Sequence, residues 1–481
     1  MKILLRYSPL LGIIALALML RLYRVSYPLL DWHSWRQADT ASVTREYTLH
    51  GIDLLHPTYH DLSNIPSGLD NPEGYRMVEF PIVNGVLAVI VTTLHLSDVV
   101  VASRLFSMLC SLVTLVSIFG VVKMLSGKKI AYLSAVVFAV LPYSVYYSRT
   151  VLPEPAMLAA ITTSLACFVW SVEKNKPSGY FYSAVLFTLA LLLKPFVVFF
   201  APVYMVLFVH KHTTHWRSYW PALLFLLAVL PLWWWRSWIA QFPEGIPASD
   251  WLFNGNGIRL RPAWFRWIFF ERISKLMLGY VGVVFVVSAS FVVNKKELLV
   301  YGSWWAGMFA YLIVIATGNV QHDYYQVLLT PILSITVAFG IYACYSFISS
   351  FNQISTQTRH VLSLAATISL SLLMLVGAGM QVRGYFNVNH WEYDTAGAVV
   401  DQVVPANAQV IAPNFGDTSF LFQTKRVGWP IGYEIEQKRK LGATHYVSTS
   451  YDDEARELEE RYFVLEKTQE YIIIDLTKPK Q

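Results

Sequence analysis

Uncharged apolar runs recur along most of the chain, and polar and charged residues are confined to the gaps between them. A membrane-crossing helix needs roughly 20 apolar residues. The pattern predicts eleven: one in the first 24 residues, then 100–122, 130–147, 153–172, 180–193, 196–209, 219–239, 273–293, 298–317, 327–349 and 361–380. The first places Lys2 and Arg6 before an apolar core at 10–20, with no small-residue cleavage site ahead of the basic 21–24 cluster, so it reads as an uncleaved helix. From residue 385 onward the runs shrink to strand length and charge density rises. The periods there predict helices at 394–404, 435–441 and 454–461, and strands at 409–412 and 445–448, with 462–465 and 471–475 as a strand pair. The expected fold is a polytopic α-helical membrane protein of about 11 transmembrane helices over 1–384, followed by a small soluble α/β domain over 385–481.

Composition sharpens this reading. Of 481 residues, 55% are apolar and 14% charged, against roughly 25% charged in soluble domains. Sixteen Trp and 28 Tyr suit rings that anchor helix ends at the bilayer interface, and the Trp-rich stretch 233–238 reads as such an anchor. Cys110, Cys167 and Cys344 all lie inside apolar runs as small buried hydrophobes, so neither a disulfide framework nor a zinc motif is available. The net charge of +6 is spread over short loops, which is a topology signal and excludes a nucleic-acid footprint.

The apolar stretch 80–96 is left out of the spans because of those loop charges. Without it, Lys123, Lys128, Lys129, Lys174, Lys176, Lys211, Arg217, Lys295, Lys296 and Arg359 fall on the same face as Lys2 and Arg6. The positive-inside rule makes that face cytoplasmic and makes 80–96 an interfacial or re-entrant helix. Every long connection (27–99, 241–272, 318–326 and the tail) then lies on the outer face, where chemistry is expected.

Five sites on that face could carry it. The first loop holds Asp31, His33, Arg36, Gln37 and Asp39, with 34–49 helical, so that Arg36 and Asp39 share a face. A carboxylate there can act as a general base toward an acceptor, or hold a divalent cation beside a phosphate; a surface Arg36–Asp39 ion pair with Asp31 as helix cap is the structural alternative. Glu79 opens the 80–96 segment and can equally be a helix-start acid. Arg149 and Glu154 flank the Pro153 turn, where Glu154 either caps a helix or joins Arg149 at an anionic ligand. Lys194, ahead of Pro195, ends an unbroken apolar stretch on the outer side; it either snorkels or meets a lipid phosphate. His322, Asp323, Tyr324 and Tyr325 precede a helix and suit a sugar or phosphate, or an aromatic belt.

The order of these pieces resembles the GT-C class of membrane glycosyltransferases, in the protein O-mannosyltransferase and aminoarabinose transferase-like branch. The resemblance covers roughly 5–340 and is carried by Trp35-Arg-Gln-Ala-Asp39-Thr-Ala, the acidic Pro-flanked turn at 153–155, Leu193-Lys194-Pro195 and the His322-Asp-Tyr-Tyr325 loop. It implies transfer of a sugar from a polyprenyl-phosphate donor to a glycan, lipid or protein acceptor on the outer face of a bacterial inner membrane, with inversion and an acidic base. By the resemblance Asp39 is the base and Asp31 its alternate, Glu154 the second acid, and Lys194, Arg149 and His322 the holders of the donor phosphate, with Arg36, Glu79, Tyr324 and Tyr325 at the substrate. Two positions depart from the branch: Arg36-Gln37 stands where an Asp-Glu pair is usual, and Glu79 where the aminoarabinose transferases often carry a cation. Asp31, Asp39 and Glu154 would be the ligands of any Mg²⁺ or Mn²⁺, while Lys194 and Arg149 would neutralise the phosphate without one. The rivals are a diphosphate-linked oligosaccharide ligase or polymerase, and a lipid-linked sugar transporter or flippase, which needs charges within its spans.

Overall fold

The computed structural model describes residues 2–211, 220–351 and 355–480. Arg217 and Gln481 lie outside the described residues, as do the side chains of Lys2, Arg6 and Lys211. The chain divides into two contact units: a helical one (1–23, 107–234, 249–384) and one built around a sheet (24–106, 235–248, 385–481).

Among the described residues, six helices are long and apolar enough to cross a membrane. They include Val99–Leu125, Glu154–Lys174 and Lys295–Val314. Three of the expected spans, 130–147, 196–209 and 273–293, are interrupted, for identifiable reasons. The run at 130–147 divides into Lys128–Val140 and Pro142–Tyr147 because Pro142 has no N–H to continue the ladder. Arg21, fully buried, supplies donors at the break: its guanidinium reaches the carbonyls Ala139 O at 2.9 Å and Phe138 O at 3.3 Å and the hydroxyl Ser144 Oγ at 3.3 Å. The run at 196–209 begins as a 3-10 turn, Pro195–Phe200, before Ala201–Lys211. At 273–293 there is no regular span but a π-helical stretch, Arg266–Met277, and a short helix, Val283–Ala289. Gly279 lies between them at φ 54°, and a Cβ there would meet Ala378 N at 2.3 Å, so the chain bends where it touches the backbone of helix Thr356–Val382. The 80–96 stretch forms Ile82–Thr93, whose 12 residues extend about 18 Å, short of the roughly 30 Å hydrocarbon core.

The second unit holds five strands, β1 (Gln409–Ile411), β2 (Val427–Trp429), β3 (Ala443–Ser448), β4 (Tyr462–Lys467) and β5 (Ile472–Pro479), in the order β2-β1-β3-β5-β4. β1 runs parallel to β2 and β3, while β5 is antiparallel to β3 and β4. Strand alternation sends Val410, Val447 and Ile473 to one face, packed with Val400 and Phe420 from the helices Trp391–Val403 and Ser419–Gln423. Ile411, Tyr446, Ile472 and Ile474 line the other face, against Leu458 of helix Asp453–Arg461.

By contacts, residues 385–481 group with 24–106 of the first outer loop and with 235–248. Leu30 joins one face of the sheet core and Leu62 the other. Residues 60–62 also add to the free edge of β2: Leu62 N donates to Gly428 O and Gly428 N to His60 O, both at 2.8 Å. An edge that would otherwise present unpaired backbone groups is thereby covered.

Candidate active site

In the sheet unit the site is built on helix Ser34–His50, whose first turns bury polar side chains. His33 precedes the helix in the left-handed region (φ 57°) and makes no side-chain cap. Asp31 is not the cap either. It is buried, accepting from Gln37 Nε2 at 2.8 Å and from Arg104 Nη2 at 3.4 Å. Arg36 donates to Glu79 Oε1 at 2.7 Å and Thr40 Oγ1 at 3.2 Å. Asp39 receives Arg76 Nη2 on Oδ2 at 2.8 Å and the Thr418 hydroxyl on Oδ1 at 2.7 Å. Arg36 and Asp39 are 6% and 4% exposed, so the surface ion pair expected from their spacing is replaced by two buried pairs with partners from later segments. Arg76, Arg104 and Thr418 were missed by sequence reasoning: each lies dozens to hundreds of residues from the acid it meets, and no short-range period marks it.

Beside Asp39 lies a second buried set. His60 Nε2 is 3.2 Å from Thr418 O, Tyr59 donates to Asp61 Oδ2 at 3.3 Å, and the Arg76 guanidinium lies 5.1 Å from the centre of the Tyr59 ring. Burial pushes the His60 imidazole down to about 4 and the Asp61 carboxyl up to about 7. These shifts act oppositely on stability. Folded Asp61 keeps a proton that the unfolded chain gives up near 3.8, so its contribution is lost as pH rises to about 7. Folded His60 lacks a proton that the unfolded chain binds below 6.5, so stability is lost as pH falls toward 4. Between pH 4 and 6.5 the two offset each other. Relative to wild type, the melting temperature of His60→Gln is expected to fall as pH rises over this range, and that of Asp61→Asn to rise. Scanning fluorimetry in detergent reads both, and parallel profiles for all three proteins would refute the assignment.

In the helical unit the sequence itself sets the geometry of Lys194. The residue before a proline is driven out of the helical region, and Lys194 is extended (φ −153°, ψ 120°) after helix Ser178–Leu193 ends. Its Nζ lies 3.3 Å from Glu154 Oε1 and 5.9 Å from the centre of the Tyr325 ring. Glu154 opens helix Glu154–Lys174, where the dipole favours an acid, and its Oε2 is buried without a hydrogen-bond partner. Asp323 ties the tyrosine turn to the His-Tyr-Tyr loop. It takes the Tyr147 hydroxyl on Oδ1 at 2.6 Å, its backbone carbonyl takes the Tyr143 hydroxyl at 2.5 Å, and Arg272 lies 3.8 Å away. The His322 ring stacks on Tyr324 (5.4 Å between centres) and meets Trp251 edge-on at 5.5 Å. Tyr324 and Tyr325 are 4.7 Å apart. Arg149, buried, donates to Tyr23 O at 2.8 Å. The structure thus joins Glu154, Lys194 and Tyr325, while Asp31, Arg36, Asp39 and Glu79 belong to the other unit.

In the Trp-rich stretch, Trp233 and Trp234 are exposed, while Trp235 is buried and Trp238 half-buried, their indole N–H groups donating to Val78 O at 3.2 Å and Leu55 O at 3.0 Å. Among the described residues, no three His, Cys, Asp or Glu side chains are grouped to share a metal ion. Asp31, Asp39 and Glu154 each face a cation of the chain instead: Arg104, Arg76 and Lys194.

Residues 80–235 match the family model described as dolichyl-phosphate-mannose-protein mannosyltransferase. Among solved structures, ArnT from Cupriavidus metallidurans bound to undecaprenyl phosphate is similar with a TM-score of 0.65 at 13% identity, over 97% of this chain and 98% of that one. The Archaeoglobus fulgidus oligosaccharyltransferase in complex with Zn and sulfate has a TM-score of 0.56 at 10% identity, over 91% of this chain and 68% of that one. AglB from the same organism, in complex with an inhibitory peptide and a dolichol-phosphate, has a TM-score of 0.55 at 10% identity, over 97% and 74%. No curated protein sequence matches the chain. The chain thus shares its fold with these solved structures, and its residues 80–235 match the mannosyltransferase family model.

Proposed function

We propose that this protein transfers a sugar from a polyprenyl monophosphate carrier to a glycan, lipid or protein acceptor on the outer face of a bacterial inner membrane, with inversion at the anomeric carbon. The acceptor heteroatom attacks that carbon, the bond from the carbon to the phosphate oxygen breaks, and polyprenyl phosphate leaves. Asp39 takes the acceptor proton, held in orientation by Arg76 and Thr418; Asp31 is the alternate base. Lys194, with Arg149 and His322, neutralises the phosphate, so that no metal is needed, and Arg36, Glu79, Tyr324 and Tyr325 contact the substrate.

The observation that carries this reading is the buried Lys194–Glu154 pair. The pair brings a buried ammonium among hydrogen-bonding aromatics, where it can exchange its carboxylate for the phosphate of a donor. ArnT with undecaprenyl phosphate and AglB with dolichol-phosphate support a polyprenyl carrier.

A donor panel tests it. Purified protein in detergent is supplied with sugars on polyprenyl monophosphate and on polyprenyl diphosphate, and the released lipid phosphate is measured by mass spectrometry. Release of the monophosphate carrier alone is expected. Turnover of the diphosphate-linked donor alone would establish the ligase or polymerase instead, and transport without release would establish a flippase.

A further inference from the structure

The helical unit carries a second candidate site, on helices other than those that bear Glu154 and Lys194. A groove of about 610 Å³ lies between Lys128–Val140, Thr330–Ser349 and Thr356–Val382. Its walls are almost wholly apolar, from Leu133, Val136 and Val140 on one side to Ile368, Leu372 and Leu375 on the other, and Lys129 lines it.

We propose that this groove holds an anionic phospholipid, with its acyl chains along the apolar walls and its phosphate on Lys129. Charge complementarity selects that occupant. Lys128 and Lys129 are exposed neighbours in the first turn of their helix, and no described carboxylate pairs with either. The helix opens after Gly127 with no side-chain cap and no acid in its first turn, so its leading N–H groups and both ammonium groups gather positive charge at one point. Cations at a helix N-terminus oppose the dipole, and a phosphate relieves both. Tyr132, Tyr342 and Tyr345 add hydroxyl-bearing rings to the lining, and Tyr345 is hydrogen-bonded to His360 at 3.0 Å.

The loop charges read these lysines as cytoplasmic, the side where anionic lipids attract basic residues. The groove is also distinct from the donor site, because helix Lys128–Val140, 13 residues long and about 20 Å, runs on from Lys129 before the chain reaches Arg149 and Glu154. The inference therefore stands independently of the proposed transfer reaction.

Native mass spectrometry of the detergent-purified full chain tests it, with added phosphatidylglycerol or phosphatidylcholine as probes. Wild type is expected to retain one phosphatidylglycerol, and phosphatidylcholine about fivefold more weakly. Lys129→Gln is expected to erase that preference while retaining transfer activity, and Val136→Phe, which fills the groove, to lose both lipids. Equal retention of the two lipids by wild type, an unchanged preference in Lys129→Gln, or a co-purifying membrane protein displaced by Val136→Phe would overturn it.

Discussion

Asp39→Asn is expected to lower sugar transfer by about 10²- to 10⁴-fold, the range for removal of a general base, while leaving polyprenyl phosphate binding at its wild-type strength. The amide keeps the shape of the carboxylate and can still accept from Thr418, but it cannot take a proton from the acceptor. It also leaves the largely buried Arg76 without its anion, so some loss of stability accompanies it. Thr418→Val separates orientation from folding: it removes the hydroxyl that bonds Asp39 Oδ1 and Trp35 O and keeps the ion pair. A smaller loss of transfer, on the order of tenfold and confined to kcat with KM for the donor unchanged, is expected, because a misaimed carboxylate still lies within reach of the acceptor. Binding and transfer falling together with the melting temperature would make Asp39 a structural residue. A fully active Asp39→Asn would move the base to Asp31, whose carboxylate is held by Gln37 and Arg104 in a similar manner.

Lys194→Met is expected to cost about 10²- to 10³-fold in transfer, comparable with removing one preorganised donor to a developing anion. It also strands Glu154, 4% exposed, as a buried carboxylate without its cation, a change that typically destabilises by about 3–5 kcal/mol. The double variant Lys194→Met/Glu154→Gln removes both charges. Its melting temperature is expected to return toward wild type while transfer stays lost, because stability depends on the pair and phosphate binding on the ammonium. Recovery of transfer in the double variant would show that the pair serves only the fold. Lys194→Arg is expected to remain impaired, since a planar fork does not reproduce a compact ammonium on an extended Lys-Pro turn.

What could be foreseen from the chain alone follows the range of the interactions involved. Local periods sufficed for three helices of the tail: those expected at 394–404, 435–441 and 454–461 correspond to Trp391–Val403, Ile435–Lys440 and Asp453–Arg461. The three-residue β2, with Gly428 at its centre and an outer-loop segment on its edge, has too little pattern to register. The Lys194-Pro195 dipeptide announces an extended lysine, but nothing local says that Glu154 lies opposite. Hydropathy marked the apolar runs yet not their interruptions, because the bend at Gly279 exists only where helix Thr356–Val382 approaches it. The same limit governs the acids. Asp31 and Asp39 stand out as charged residues ahead of and within a helix, whereas Arg104, Arg76 and Thr418 become their partners only through tertiary packing.

The most direct test of the central claim, that this chain uses a lysine and a carboxylate to cleave a polyprenyl monophosphate sugar without a metal, is a single-turnover assay. Lipid phosphate released from a monophosphate-linked donor is followed for wild type, Asp39→Asn and Lys194→Met, each with and without EDTA, in the presence of total membrane glycolipid as acceptor. The account predicts release by wild type that EDTA does not change and that both variants lose. Release that EDTA abolishes, or that both variants retain, would contradict it.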